Sequence, residues 1–332
     1  MSPAPFGARL DDVVVRFGTQ RRMTSDGTTV KEDATTALDG VGLTIRPGVI
    51  TGVLGRNGAG KSTLLSLLAA FNRPTSGTVR LGPDGDDAWE DPWENPWVTA
   101  NVQLVRESGD LQDDEKISES LRYYGDLRPA WDADLAARLL DLFEVSTRKK
   151  PSALSRGKRS AVGATIGLAS RAPLTIFDEV YLGMDAPTRY AFYDEILADY
   201  AEHPRTILLS SHLVEEVERL FEDVVVLHRG SVLLAETAEE MASRGFSLTG
   251  PAAAVERLSG DRRVLHRQRL GATVQVTLEG APDDATAAEA RSAGVEVGTL
   301  PLQDLFVRLT QPAGGDGRHA DAPAATGGEA PR

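Results

Sequence analysis

Apolar residues along this chain recur with two periods, and the switches between them mark out its elements. Residues 10–17 alternate loosely between apolar and polar and predict a strand, 38–45 (LDGVGLTI) a second, and 49–54 (VITGVL) a third. The third run ends abruptly in a glycine-rich loop, after which 62–71 (STLLSLLAAF) has the apolar spacing of a helix. Between the first two strands, 19–34 is polar and predicts a loop insertion. A turn at 74–77 precedes a strand at 78–81, and 101–105 reads as another strand. Helical spacing returns at 115–124, 132–143 and 158–170, so 112–171 reads as a helical block inserted in an α/β domain. Strands at 174–177 and 206–209, helices at 187–200 and 214–221, and a hairpin of 224–228 with 231–235 complete that unit.

After Arg244 the character changes. Short strands at 246–248, 274–278 and 295–297 and a helix at 285–293 predict a small α+β domain over 245–311. Residues 312–332 are rich in Pro, Gly, Ala and Asp without an aliphatic core, which predicts a disordered tail. The organisation expected is therefore 1–244, 245–311 and 312–332. One segment, 82–97, fits no period: Trp89, Trp93 and Trp97 recur every four residues, yet Pro92 and Pro96 forbid an ordinary helix there. It reads as a chain of turns whose rings pack on the domain surface, with a partner contact as the other reading.

Composition narrows the function classes. The 332 residues carry a net charge of −13, which argues against a nucleic-acid backbone as the main partner. There is no cysteine, so disulfides and thiolate metal sites are excluded and a reducing cytosol suits the chain. The first residues lack a basic leader and an apolar core, and no run of about 18 apolar residues occurs. Any membrane role is then expected to be peripheral.

The chemistry begins where the third strand ends. Gly55-Arg56-Asn57-Gly58-Ala59-Gly60-Lys61-Ser62 fits G-x-x-x-x-G-K-[ST] between a strand and a helix, the context the motif requires. Its glycines let backbone N–H groups curl around phosphate oxygens, and the helix N-terminus adds partial positive charge. Lys61 is the candidate for the β/γ-phosphates and the Ser62 hydroxyl for Mg²⁺, with Thr63 beside it among the phosphate-binding positions. Downstream, Leu174-Thr-Ile-Phe-Asp178-Glu179 is an apolar strand ending in two acids. Asp178 at the strand tip can hold Mg²⁺ through water, and Glu179 can polarise an attacking water beside the γ-phosphate.

Between these two motifs stands Leu154-Ser155-Arg156-Gly157-Lys158. It resembles the signature of ATP-binding cassette (ABC) ATPases, usually Leu-Ser-Gly-Gly-Gln, and lies in that family's order. The resemblance covers roughly 10–240. It implies a RecA-like α/β core with an antiparallel β-subdomain and a helical subdomain, and hydrolysis of Mg-ATP between two facing cassettes. Ser155 and the Gly157 N–H match the donors that cap the γ-phosphate held by the opposite cassette. Arg156 and Lys158 depart from the pattern, and Arg159 adds a third cation. Cations at a helix N-terminus are opposed by its dipole, and an anion bound there would offset that.

Other positions follow from the same resemblance. Tyr181-Leu-Gly-Met-Asp185 is similar to the D-loop, with Asp185 at its acidic position and Val180 in place of the usual Pro. His212, after Ser210-Ser211, resembles the switch histidine that contacts the γ-phosphate. Phe17 matches the aromatic that stacks on adenine, or is a plain core residue. The glutamine of the Q-loop falls on Glu107 when aligned backward from 116–121 (KISESL), whereas Gln103 lies within a strand. A carboxylate at 107 could ligate Mg²⁺ or hold the water, and would repel the γ-phosphate.

Within the family, 168–173 (LASRAP), 185–189 (DAPTR) and the small C-terminal domain ending 302–307 (LQDLFV) are similar to ATPase subunits of ABC-2-type bacterial exporters. The expected protein is an ATPase subunit, peripheral on the inner face of the cell membrane. It would drive a separate membrane-spanning permease and pair with a second cassette. Two rivals stand beside it: a soluble ABC-type switch acting on ribosomes or DNA, and a regulatory cassette that binds ATP and barely hydrolyses it. Tandem cassettes or a long coiled-coil insertion would mark the first, and neither is visible. Lys61, Glu179 and His212 argue against the second.

Overall fold

The computed structural model describes residues 4–18, 21–23, 29–31, 35–84, 89–107, 110–300 and 302–310. The tail 312–332 and parts of 19–34 and of the Trp-Pro segment lie outside the described residues. The chain opens with strand β1 (Phe6–Phe17), a short antiparallel pair β2 (Arg21–Met23) and β3 (Thr29–Lys31), and β4 (Thr35–Ile45). Part of the polar stretch expected to be a loop is therefore a small hairpin, formed by backbone pairing that needs no apolar face. Then come β5 (Ile50–Gly55), helix α1 (Lys61–Leu68) and β6 (Ser76–Pro83). Strands β4, β1 and β6 form an antiparallel three-stranded sheet.

Helix α2 (Pro96–Ala100) is a single turn that places Pro96 at its first position, where a missing N–H costs nothing, and Asn95 caps it. The rings of Trp89 and Trp97 lie on the antiparallel sheet rather than on one helix face. Trp97 stacks on Phe6 at 4.9 Å and Arg9 lies over Trp89, while Trp93 sits against Arg73. Next follow β7 (Val102–Arg106), α3 (Ile117–Leu127), α4 (Ala133–Leu142) and α5 (Arg156–Ser170). Helix α5 starts two residues earlier than its apolar spacing predicts, because Ser155 caps it by accepting the Lys158 N–H. From Ser160 to Ser170 it is buried on every side.

The remaining elements of this part are β8 (Leu174–Asp178), α6 (Ala186–Glu202), β9 (Thr206–Ser211), α7 (Val214–Val217), β10 (Asp223–His228) and β11 (Ser231–Thr237). The helix expected over 214–221 is one α-turn followed by a 3₁₀ turn at Glu218–Leu220. The second sheet runs β11-β10-β5-β9-β8-β7, parallel except for the β10–β11 hairpin. Strands β5, β8 and β9 are buried along their whole length, as a parallel sheet covered on both faces requires. An ion cluster ties helical block to core: Arg171 pairs with Asp132 and Asp199, and the buried Arg205 pairs with Asp199 at 2.7 Å.

Beyond β11 come α8 (Ala238–Ala242), β12 (Gly245–Pro251), α9 (Ala252–Ser259), β13 (Val264–Leu270), β14 (Thr273–Glu279), α10 (Asp284–Ser292), β15 (Glu296–Thr299) and α11 (Leu302–Thr310). The antiparallel sheet β13-β14-β12-β15 has its own apolar cluster around Phe246, Leu248, Val255 and Val276. The apolar pattern misses four of these elements, α8, α9, β13 and α11; α9 is alanine-rich, and β13 (VLHRQRL) is an edge strand dense in charge. Helix α11 instead buries Leu305 and Phe306 in the large core cluster and packs on α7. Among the described residues, no helix is long and apolar enough to cross a membrane.

Candidate functional site

Strand register brings the motifs together. Leu54 on β5 pairs with Ser211 on β9, and Asp178 on β8 pairs with Ser210 on β9 and with Arg106 on β7. The carboxyl ends of four parallel strands therefore meet at one edge, where open α/β sheets place their ligands. The segments that follow those ends are the phosphate loop, the Glu107 turn, the Asp178-Glu179 pair and His212.

The phosphate loop turns left-handed at Gly58 (φ 81°) and Gly60 (φ 107°). At Gly60 a side chain is excluded twice over, since its Cβ would lie 2.7 Å from the Ala37 carbonyl oxygen. Gly60 also gives α1 no side-chain cap, so the first N–H groups of that helix are left to an external acceptor. The Lys61 side chain, only 6% exposed, donates to the Gly55 carbonyl at 2.8 Å and pairs with Glu179 Oε1 at 3.1 Å. Ser62 is exposed, as are Arg56, Asn57 and Gly58, while Ala59 is buried.

The two acids are clamped by a residue the motif reading did not single out. Ser210 Oγ donates to Asp178 Oδ1 at 2.6 Å and accepts the Glu179 N–H at 2.9 Å. That grip holds Glu179 at φ 50°, a left-handed conformation that a glutamate adopts only under constraint. Glu179 Oε1 also lies 3.4 Å from His212 Nδ1, so Lys61, Glu179 and His212 converge on one carboxylate oxygen. Only register could reveal Ser210, because its spacing from Asp178 follows no motif.

A cavity of about 640 Å³ opens beside these groups, lined by Ser62, Glu107, Asp178 and Glu179 on one side and Leu154, Arg156 and Arg159 on the other. Ser62, Asp178 and Glu107 give it an all-oxygen donor set, the kind suited to Mg²⁺. Loop N–H groups, Lys61 and these oxygens together fit a magnesium-bound triphosphate. Gln103 is buried in β7 and accepts from Arg128, which removes it from the cavity.

The signature segment is arranged differently. Its cations, expected to await a bound anion, are met by acids of this chain. Arg156 pairs with Glu107, Lys158 with Glu144 at 3.4 Å and Arg159 with Asp113 at 2.7 Å. Lys158 also donates to the Phe143 carbonyl, which turns it toward α4 and away from the cavity. Ser155 Oγ accepts from the Lys158 N–H and so keeps its own proton to donate. Gly157 packs against the D-loop backbone, where a Cβ would come within 2.4 Å of the Gly183 oxygen. Asp185 caps α6 by accepting the Thr188 N–H at 3.0 Å, and the Thr188 hydrogen bonds hold its carboxyl below the usual range. Phe17, at the end of β1, is 47% exposed and so is not a core residue. Neither it, Ser155, Gly157 nor Asp185 lines the cavity.

The chain is similar to known proteins. A family model described as ABC transporter matches residues 38–181. The ABC transporter ATP-binding protein NatA of Bacillus subtilis is 31% identical over 218 residues, spanning 64% of this chain and 86% of its own length. The taurine import ATP-binding protein TauB of Chromobacterium violaceum is 32% identical over 239 residues, spanning 70% of this chain and 89% of its own. Among solved structures, the dimeric post-hydrolysis state of the ATP-binding cassette MJ0796 with ADP and Pi superposes with a TM-score of 0.57 at 21% identity. It covers 70% of this chain and 98% of that one, a likeness of fold.

Proposed function

This chain belongs to the ATP-binding subunits of ABC transporters, ATPases whose hydrolysis is coupled to transport, and on that premise we propose how its own residues carry the reaction. The observation that carries the reading is the meeting of Lys61, Glu179 and His212 on one carboxylate oxygen, beside a cavity that Ser62 and Asp178 line. Residues Gly55 to Thr63 wrap the phosphates of ATP with their N–H groups, and Phe17 stacks on the adenine. Lys61 leaves the Gly55 carbonyl and Glu179 for phosphate oxygens. Glu179, released from that ion pair, polarises and accepts the proton of a water whose oxygen attacks the γ-phosphorus, as the bond to the β–γ bridging oxygen breaks and ADP leaves with its electron pair. His212 donates to the γ-phosphate. Ser62, Asp178 and Glu107 would hold Mg²⁺, which neutralises charge on the phosphates.

Two cassettes close on two nucleotides, with Ser155 and the Gly157 N–H of each capping the γ-phosphate held by the other and Asp185 at the contact between them. ATP is then the shared ligand that selects the closed pair. The working partner is a separate membrane-spanning permease, and the subunit sits peripherally on the inner face of the cell membrane. Residues 245–311 act as an accessory module. Export is the proposed direction, supported by the resemblance of 168–173, 185–189 and 302–307 to ABC-2-type exporter subunits, whereas TauB carries import in its name.

Tagged Glu179→Gln protein, purified from native membranes with ATP, tests the partner. A multi-spanning protein recovered in fixed ratio supports the reading, and ribosomes or DNA in its place overturn it. On size exclusion, Glu179→Gln is expected to dimerise with Mg-ATP, and a monomer with and without nucleotide counts against closure on itself. Reconstituted with cassettes outward and given cell extract and ATP, the complex should enrich a compound inside the vesicles; loss of a preloaded compound instead would mean import.

A further inference from the structure

Tyr181 stands in the D-loop segment but takes no part in the reaction described above. Its ring is buried to 1% exposure in the large core cluster, tilted against the His212 ring with centroids 6.0 Å apart. Its hydroxyl touches three groups at the end of β9 and just beyond it. Ser211 Oγ lies 3.1 Å away, the His212 backbone N–H reaches it at 3.2 Å, and His212 Nδ1 is 3.2 Å away. Ser211 Oγ in turn accepts the Leu213 N–H at 2.9 Å.

The proton arrangement follows from the Ser211 hydroxyl donating to Tyr181. A phenol offers two acceptor positions and one proton. The His212 N–H can only donate, and it fills one acceptor position. Ser211 already accepts from Leu213, and its hydroxyl proton points to Tyr181, which fills the second. The Tyr181 proton then has a single unfilled acceptor in reach, the lone pair of His212 Nδ1. A neutral imidazole that accepts at Nδ1 carries its proton on Nε2. Burial also holds the phenol proton on, pushing its pKa above the ordinary tyrosine value.

From this geometry we propose that Tyr181 is a positioning residue that locks His212 in the Nε2–H tautomer and keeps its Nδ1 from donating to Glu179. The two functions of that lock follow from the distances. Glu179 Oε1, 3.4 Å from Nδ1, faces a lone pair and not a proton, so histidine does not compete with Lys61 and water for it. The Nε2–H is left as the donor an anionic phosphate needs. The opposite tautomer would place an N–H against Glu179 and require the Ser211 hydroxyl to turn away and accept the Tyr181 proton instead. This inference rests on the proposed roles of Glu179 and His212, and deepens them by naming what sets the histidine's donor.

Nitrogen-15 NMR of histidine-labelled protein reads the tautomer directly, with His212 assigned by comparison with His212→Gln. The wild-type protein is expected to show Nδ1 unprotonated and Nε2 protonated. In Tyr181→Phe, which keeps the ring and its packing, the Nδ1-protonated form should appear. ATP affinity should stay within about twofold, and turnover should fall about fivefold to tenfold, the effect of losing one hydrogen bond. A wild-type spectrum with Nδ1 protonated overturns the proposal and needs no variant to fold. An unchanged tautomer in Tyr181→Phe overturns it too. If His212→Gln hydrolyses ATP at the wild-type rate, the role assigned to His212 fails, and the tautomer measurement still stands on its own.

Discussion

The two sides of the cavity solve opposite problems with the same kinds of residues. On the phosphate-loop side, Lys61 and Asp178 are 6% and 7% exposed, and each polar group is gripped by another buried group. On the signature side, the Arg156 side chain is 65% exposed and its partner Glu107 40%, and the cations are met one by one by surface acids. Buried polar groups must be fully partnered or they destabilise the fold, so the first side is rigid before any ligand arrives. Exposed ion pairs contribute little and exchange easily, so the second side can release its arginines to a new anion. A wall proposed to do the chemistry and a wall proposed to engage and release a second cassette are expected to differ in this way.

The comparison can be broken most decisively at Glu179. Glu179→Gln should lower phosphate release by about 100-fold to 10,000-fold while ATP binding persists, measured by single-turnover assay and nucleotide titration. A wild-type rate would move the chemistry away from the buried side. Ser210→Ala is the next largest test. It strips Asp178 of a donor and the Glu179 N–H of its acceptor, which should cost roughly 1–3 kcal/mol in denaturant unfolding and lower turnover with it. If unfolding is unaffected, the clamp is not what holds Glu179 left-handed.

The signature side should answer more weakly. A double-mutant cycle over Glu107→Gln and Arg156→Gly is expected to give a coupling of about 1 kcal/mol or less in the nucleotide-free protein, vanishing in high salt. A coupling several times larger would make this pair a structural element and erase the contrast. The smallest effect concerns pH. Asp185 has its folded pKa depressed by the Thr188 hydrogen bonds, so its contribution is present above the unfolded value and lost as pH falls through the folded one. The melting temperatures of wild type and Asp185→Ala should therefore differ at neutral pH and merge in acid.

The same contrast explains which parts of the site were legible in the chain. Gly55 to Ser62 announces itself because phosphate binding by backbone demands glycines at fixed offsets between a strand and a helix. Asp178 and Glu179 stand out because two acids close an apolar strand downstream of a phosphate loop. Both are local constraints on consecutive residues. Arg156 and Glu107 looked like two separate departures from the family's pattern, and they are in fact partners. Tyr181 looked like an ordinary D-loop residue. Nothing local ties either to its partner, and α9 and β13 were hidden for a related reason: alanine and alternating charge leave the apolar pattern silent.

What the sequence determined by itself is the order of motifs, the strands that end in them and the identity of the groups proposed to meet phosphate. These follow from backbone conformation and from periodicity within single elements. Only the tertiary structure decided which of those groups share an oxygen, that Ser210 clamps both acids, and that Tyr181 meets His212. Those contacts depend on the register between strands far apart in the chain and on burial, which removes water and leaves each donor to find the one acceptor in reach.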